Sequence, residues 1–95
     1  MTISVSANTV TINGNIKSIQ DYQQIKETID TLRTTHRHIV LIIKDSISIT
    51  SSVIGYLNKL VLKDNVDLHV EVGDEQLMEL FEDLNLVSLF HVKKV

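Results

Sequence analysis

Apolar and polar residues alternate strictly at the start of the chain. Ile3 and Val5 are separated by Ser4 and followed by Ser6, and after Ala7-Asn8 the alternation resumes as Thr9, Val10, Thr11, Ile12. A period of two predicts strands, here two short ones joined by a tight turn. Asn13-Gly14-Asn15 closes the second. The spacing then lengthens. Ile19, Tyr22, Ile25, Ile29 and Leu32 recur at steps of three and four, which predicts an amphipathic helix. Ser18 with Asp21 three residues later has the form of a capping box at its start. From Ile39 to Ile43 the chain is unbroken aliphatic, the pattern of a strand buried on both faces of a parallel sheet.

A second helical stripe follows at Val53, Ile54, Leu57, Leu60 and Val61, with Asn65 placed to end it in the left-handed conformation. Val66, Leu68, Val70 and Val72 alternate with Asp67, His69 and Glu71, so this strand has one buried and one wet face. Asp74 is placed to cap a third helix carrying Leu77, Leu80, Phe81 and Leu84, which Asn85 can close. Leu86, Leu89, Phe90 and Val92 bring the tail back as a last short edge strand. The order is ββαβαβα plus a short C-terminal tail. That is an α/β class domain, a mixed four- to five-stranded sheet with crossover helices and parallel pairing in its middle.

Size and charge narrow the possibilities. The 95 residues make one domain, 1–95, with one modest core. Without cysteine the chain needs no disulfides and carries no mark of an oxidising compartment. Nine basic against twelve acidic residues give a net charge of −3, which argues against nucleic acid as a partner. The longest aliphatic run is far shorter than the roughly 20 residues of a membrane span. The first residues lack the basic and apolar regions of a signal peptide, so a cytoplasmic location is expected.

The stretch richest in candidate chemistry is Ser46-Ile47-Ser48-Ile49-Thr50-Ser51-Ser52-Val53-Ile54-Gly55, which leaves the central strand and opens the second helix. Thr50 or Ser51 can serve as the N-cap. One cap needs one hydroxyl and here there are three in a row. A helix N-terminus also favours negative charge, so the fold would tolerate a phosphate on Ser51. His36 and His38 bracket the start of the central strand, where alternate residues share a face and can pinch a metal, but no third ligand is indicated. His69 falls on the wet face between Asp67 and Glu71, the setting of a solvated residue. The nucleophile-elbow pattern is missing, and glycines at 14, 55 and 73 make no phosphate loop. Glu79, Glu82 and Asp83 lie on a helix's polar face. The expectation is a protein-binding module, not an enzyme, with no cofactor.

The element order, Gly14 ahead of the first helix, the central strand from His38 to Lys44, the Thr50-Ser51-Ser52-Val53-Ile54-Gly55 turn, and Leu80-Phe81 with Leu86 and Phe90 together resemble the STAS domain of bacterial anti-sigma factor antagonists. The resemblance runs over nearly the whole length. It places Ser51 on the serine phosphorylated in those antagonists, with Ser52 as second choice. It implies a partner surface of Thr50, Ser51, Ser52, Val53, Ile54 and Tyr56. The implied partner is a serine kinase anti-sigma factor of the histidine-kinase-like ATPase fold. A PP2C-type phosphatase would reset the switch, and a weak homodimer is compatible with the family. Thr50 and Val53 stand where the family carries aspartate and glycine. The alternative is a constitutive STAS-type scaffold or assembly module in which the hydroxyls are only a cap.

Overall fold

The computed structural model describes residues 1–95. Strand β1 (Thr2–Ser6) turns at Ala7-Asn8 into β2 (Thr9–Asn13), pairing antiparallel with Ile3 opposite Ile12 and Val5 opposite Val10. Helices and strands then alternate as α1 (Ile19–Leu32), β3 (His38–Ile43), α2 (Ser51–Leu62), β4 (Asp67–Val72), α3 (Glu75–Asp83) and β5 (Lys93–Lys94). The strands lie side by side in chain order, and β2 to β5 run parallel. No helix is long and apolar enough to cross a membrane.

That order decides where the helices go. Each crossover steps one strand in the same direction, and right-handed crossovers repeated in one direction stack every helix on one face. Burial follows suit. Val10, Ile12, Ile39, Leu41, Ile43, Leu68, Val70 and Val72 are all at most 1% exposed, and the registers place them on one face. Their neighbours Thr9, Thr11, Val40, Ile42, His69 and Glu71 are only half-buried on the other. The expectation that Ile39 to Ile43 is buried on both faces is therefore corrected. Val40 and Ile42 are apolar because they pack against cross-strand neighbours on an open face, not because a second helical layer covers them.

Beneath the helices, α1 contributes Ile25 and Ile29, α2 contributes Val53, Tyr56, Leu57 and Leu60, and α3 contributes Leu77 and Phe81. Phe90 meets Phe81 edge to face at 6.2 Å, anchoring the tail. Each large aliphatic side chain fully buried here stabilises by about 1.5–3 kcal/mol. Ile19 departs from the expected stripe and is 72% exposed. At about 100° per residue it lies some 120° around α1 from Ile25, whereas Tyr22, Ile29 and Leu32 stay within about 60° of it.

The caps form as their residues suggest. Ser18 Oγ accepts from Asp21 N at 3.0 Å, and Asp21 Oδ2 accepts from Ser18 N at 3.1 Å and Lys17 N at 3.0 Å. The Lys17 N–H, with help from the Ser18 N–H and hydroxyl, holds the Asp21 carboxyl below its ordinary range against the opposing effect of burial. Asp74 Oδ1 accepts from Leu77 N at 3.1 Å. Asn65 and Asn85 take positive φ, 55° and 57°, just past α2 and α3. Gly73 is required by proximity. Its N–H donates to the Ile43 carbonyl at 2.9 Å, and a Cβ there would run into the Lys44 carbonyl oxygen.

Candidate functional site

In a parallel sheet with short loops, every helix begins at the carboxyl end of the strand before it. The starts of α1, α2 and α3 therefore share one end of the molecule, the end at which such folds commonly bind ligands. The loop from β3 into α2 is held there by the loop from β2 into α1. Asp45 Oδ1 accepts from Gly14 N at 2.7 Å, and Asn15 Oδ1 accepts from Ile47 N at 3.1 Å. Ser46, the one fully buried polar side chain, accepts from Ile16 N at 3.0 Å and donates to the Ser48 carbonyl at 2.7 Å. Ser48 Oγ donates to the Ile16 carbonyl at 3.4 Å.

These bonds sort the hydroxyls. Ser46 and Ser48 tie two loops together. Thr50 is the N-cap, with extended backbone and its Oγ1 accepting from Val53 N at 3.3 Å. Ser51 and Ser52 form the first turn of α2, are exposed, and give their hydroxyls to no group in the chain. The choice left open between Thr50 and Ser51 as cap falls to Thr50. The Ser51 and Ser52 N–H groups sit among the unpaired donors of the helix start, and no acidic residue occupies that turn. A phosphate on either serine meets unpaired donors and the positive end of the helix dipole.

The remaining residues of the expected surface divide. Ile54 is half-buried and reaches it. Val53 is 1% exposed and Tyr56 is 5% exposed, and both belong to the core. Val53 and Tyr56 thus offer a partner no side-chain surface, because α2 turns them toward the sheet and α1. Ile47, 51% exposed, and Ile19, 72% exposed, lie on this same end of the fold. Ile47 was unmarked because it sits in a loop, and Ile19 was counted into the apolar stripe of α1 although, as the first residue of that helix, it lies off the buried face. An exposed isoleucine among polar neighbours is the signal that could have found them.

One other reading resolves differently. His36 and His38 do not form a pair, because β3 begins at His38 and His36 lies in the connection before it, with Nδ1 3.0 Å from Thr35 Oγ1. His38 instead turns to Asp67. The largest surface depression, about 530 Å³ and lined by Val5, Glu27, Thr28, Thr31, Leu32 and Thr35, lies between β1 and the second half of α1, away from Ser51. Compared with models of known families, with curated proteins and with solved structures, the chain shows no significant match to any of them.

Proposed function

We propose that this chain is a regulatory protein-binding module of the STAS type, an anti-sigma factor antagonist acting in the cytoplasm without catalysing a reaction itself. The observation that carries the reading is the division of labour at α2: Thr50 satisfies the cap, which leaves Ser51 and Ser52 exposed with no structural duty. Ser51 is the phosphate acceptor and Ser52 the second choice. The partner is a serine kinase of the histidine-kinase-like ATPase fold. It docks on Thr50, Ser51, Ser52 and Ile54, with Ile47 and Ile19 extending the apolar part of the contact. A PP2C-type phosphatase returns the module to its binding state.

The physical switch lies at the interface and not in the fold. A phosphoserine adds about −1.5 to −2 charges. At a helix start that charge is stabilised by about 0.3–1 kcal/mol, so the folded domain accepts it. Across an apolar contact the same charge must be desolvated against the kinase. A penalty of about 3 kcal/mol weakens binding about a hundredfold.

Intact mass and site mapping of the protein purified from its native cells test this directly. A fraction heavier by one phosphate, mapped to Ser51 or Ser52, supports the switch. Ser51→Ala should hold the partner-binding state and Ser51→Asp should mimic release. An unmodified mass under several growth conditions, with both variants binding like the parent, overturns it in favour of the constitutive assembly module.

A further inference from the structure

The open face of the sheet carries a second constellation, unrelated to the serines. His38 and Asp67 are directly opposite each other across β3 and β4, and His69 lies two residues beyond Asp67, so all three side chains stand on the same face. His38 Nδ1 is 2.8 Å from Asp67 Oδ2, and His69 Nε2 is 3.1 Å from Asp67 Oδ1. The ligand atoms of the three residues lie within 4.8 Å of one another. The two imidazoles meet edge to face with centroids 4.8 Å apart. Their side chains are 49%, 51% and 39% exposed for His38, Asp67 and His69, so an ion can enter from solvent and keep water in its remaining positions.

We infer that His38, Asp67 and His69 form a divalent transition-metal site of the Zn²⁺ class on the uncovered sheet face. Two imidazole nitrogens and one carboxylate are a donor set suited to that class of ion. Ligand atoms at about 2.0–2.2 Å from a tetrahedral ion are about 3.4 Å apart. When the ion replaces the protons now shared between the groups, the nitrogen–oxygen separations of 2.8 and 3.1 Å open by about 0.6 and 0.3 Å, and the widest separation in the set, up to 4.8 Å, closes by about 1.4 Å. Half-exposed side chains can make that adjustment by side-chain rotation without moving the backbone.

A fourth histidine braces the arrangement. The His91 ring stacks on His69 at 4.3 Å with an interplanar angle of 11°. Its Nδ1 lies 3.0 Å from the Leu68 carbonyl, which can only accept, so Nδ1 carries the proton. His91 holds this position at φ 49°, in the left-handed region where a non-glycine residue is uncommon. It is a positioning residue, fixing the ring plane of His69 much as outer partners orient ligating imidazoles elsewhere.

Titration of the purified protein with ZnCl₂ by calorimetry, with circular dichroism to confirm folding, tests the site. One equivalent should bind, with a Kd below about 100 μM. His38→Ala and His69→Ala should each weaken binding at least about tenfold, and Asp67→Asn, which keeps the side-chain shape, should do the same. His36→Ala removes an imidazole outside the cluster and should leave affinity unchanged. His91→Ala should weaken binding and His91→Phe, which keeps the stack, should restore most of it. Absence of saturable binding overturns the inference. So does a parent-like affinity in the His38, His69 and Asp67 variants, or an equal loss in His36→Ala, which would mean scattered imidazoles and not a site.

Discussion

Replacing Tyr56 by phenylalanine removes one hydroxyl and nothing else, and the structure says what that hydroxyl does. It donates to Asp30 Oδ1 at 2.5 Å and lies 3.3 Å from the Lys26 carbonyl oxygen, joining α2 to α1. Asp30 also takes Lys26 Nζ at 2.8 Å and Arg33 Nε at 3.3 Å. Burial pushes the Tyr56 phenol far above its usual range, and the Asp30 carboxylate beside it pushes the same way, so it stays a neutral donor. Burial pushes Asp30 up, but hydrogen bonds from Lys26 and Tyr56 outweigh it and hold the carboxyl below its ordinary value of 3.8. A hydrogen bond to a charged group is worth about 1.5–3 kcal/mol. The Asp30 side chain is 32% exposed, so water and the two cations recover part of the loss. The ring stays, so no cavity opens. Tyr56→Phe should therefore cost about 1–2 kcal/mol, lowering the thermal midpoint by about 5–10 °C in a domain of this size. The sign of the pH dependence follows from the depressed carboxyl. Its contribution is full above the unfolded value and is lost as pH falls through the folded one. The gap between variant and parent should be widest near about pH 7 and shrink near about pH 3. Thermal unfolding followed by circular dichroism at both pH values measures it. A difference under about 0.5 kcal/mol at neutral pH, or one of equal size at both, would refute the assignment. Partner binding should be unaffected, since Tyr56 is not on the surface.

Two further substitutions probe the scaffold under the serines. Ser46→Ala strips the buried hydroxyl that serves Ile16 N and the Ser48 carbonyl, and should cost about 2–3 kcal/mol in urea unfolding. A parent-like midpoint would mean that the two loops do not depend on it. Gly73→Ala forces a Cβ onto the Lys44 carbonyl and should cost about 1–3 kcal/mol, with amide chemical-shift changes concentrated at residues 43–46. Unchanged shifts there would show that the backbones are not in close approach.

What was legible in the chain was local. Ser18 and Asp74 cap helices because the groups they serve are three residues away, and Asn65 and Asn85 turn the chain within a single residue. The strand alternations gave the element order for the same reason. What stayed hidden depends on partners far along the sequence. The hydroxyl-rich run from Ser46 to Ser52 was visible, but which hydroxyls are occupied depends on the loop after β2, about 30 residues earlier. Tyr56 read as surface because its acceptor, Asp30, lies on another helix. His69 read as solvated, and His38 as half of a pair without a third ligand, until the register of β3 on β4 brought both to one carboxylate. The side of the sheet that the helices cover is a property of strand order, which hydrophobic period does not encode.

Strand order also has a kinetic meaning. Every strand pairs only with its neighbours in the chain, so each crossover closes a loop of about 30 residues or fewer, and no strand waits for a distant segment to be inserted beside it. The sheet can grow by accretion, with β1 and β2 as a hairpin seed and each later β-strand and its helix added as a unit. Such growth suits synthesis from the amino end, where each newly formed edge becomes the template for the segment that emerges next. The vulnerable moment is the interval when β3, the most apolar strand, is paired on one side only. The prompt arrival of β4 is then the chain's main protection against pairing with another molecule.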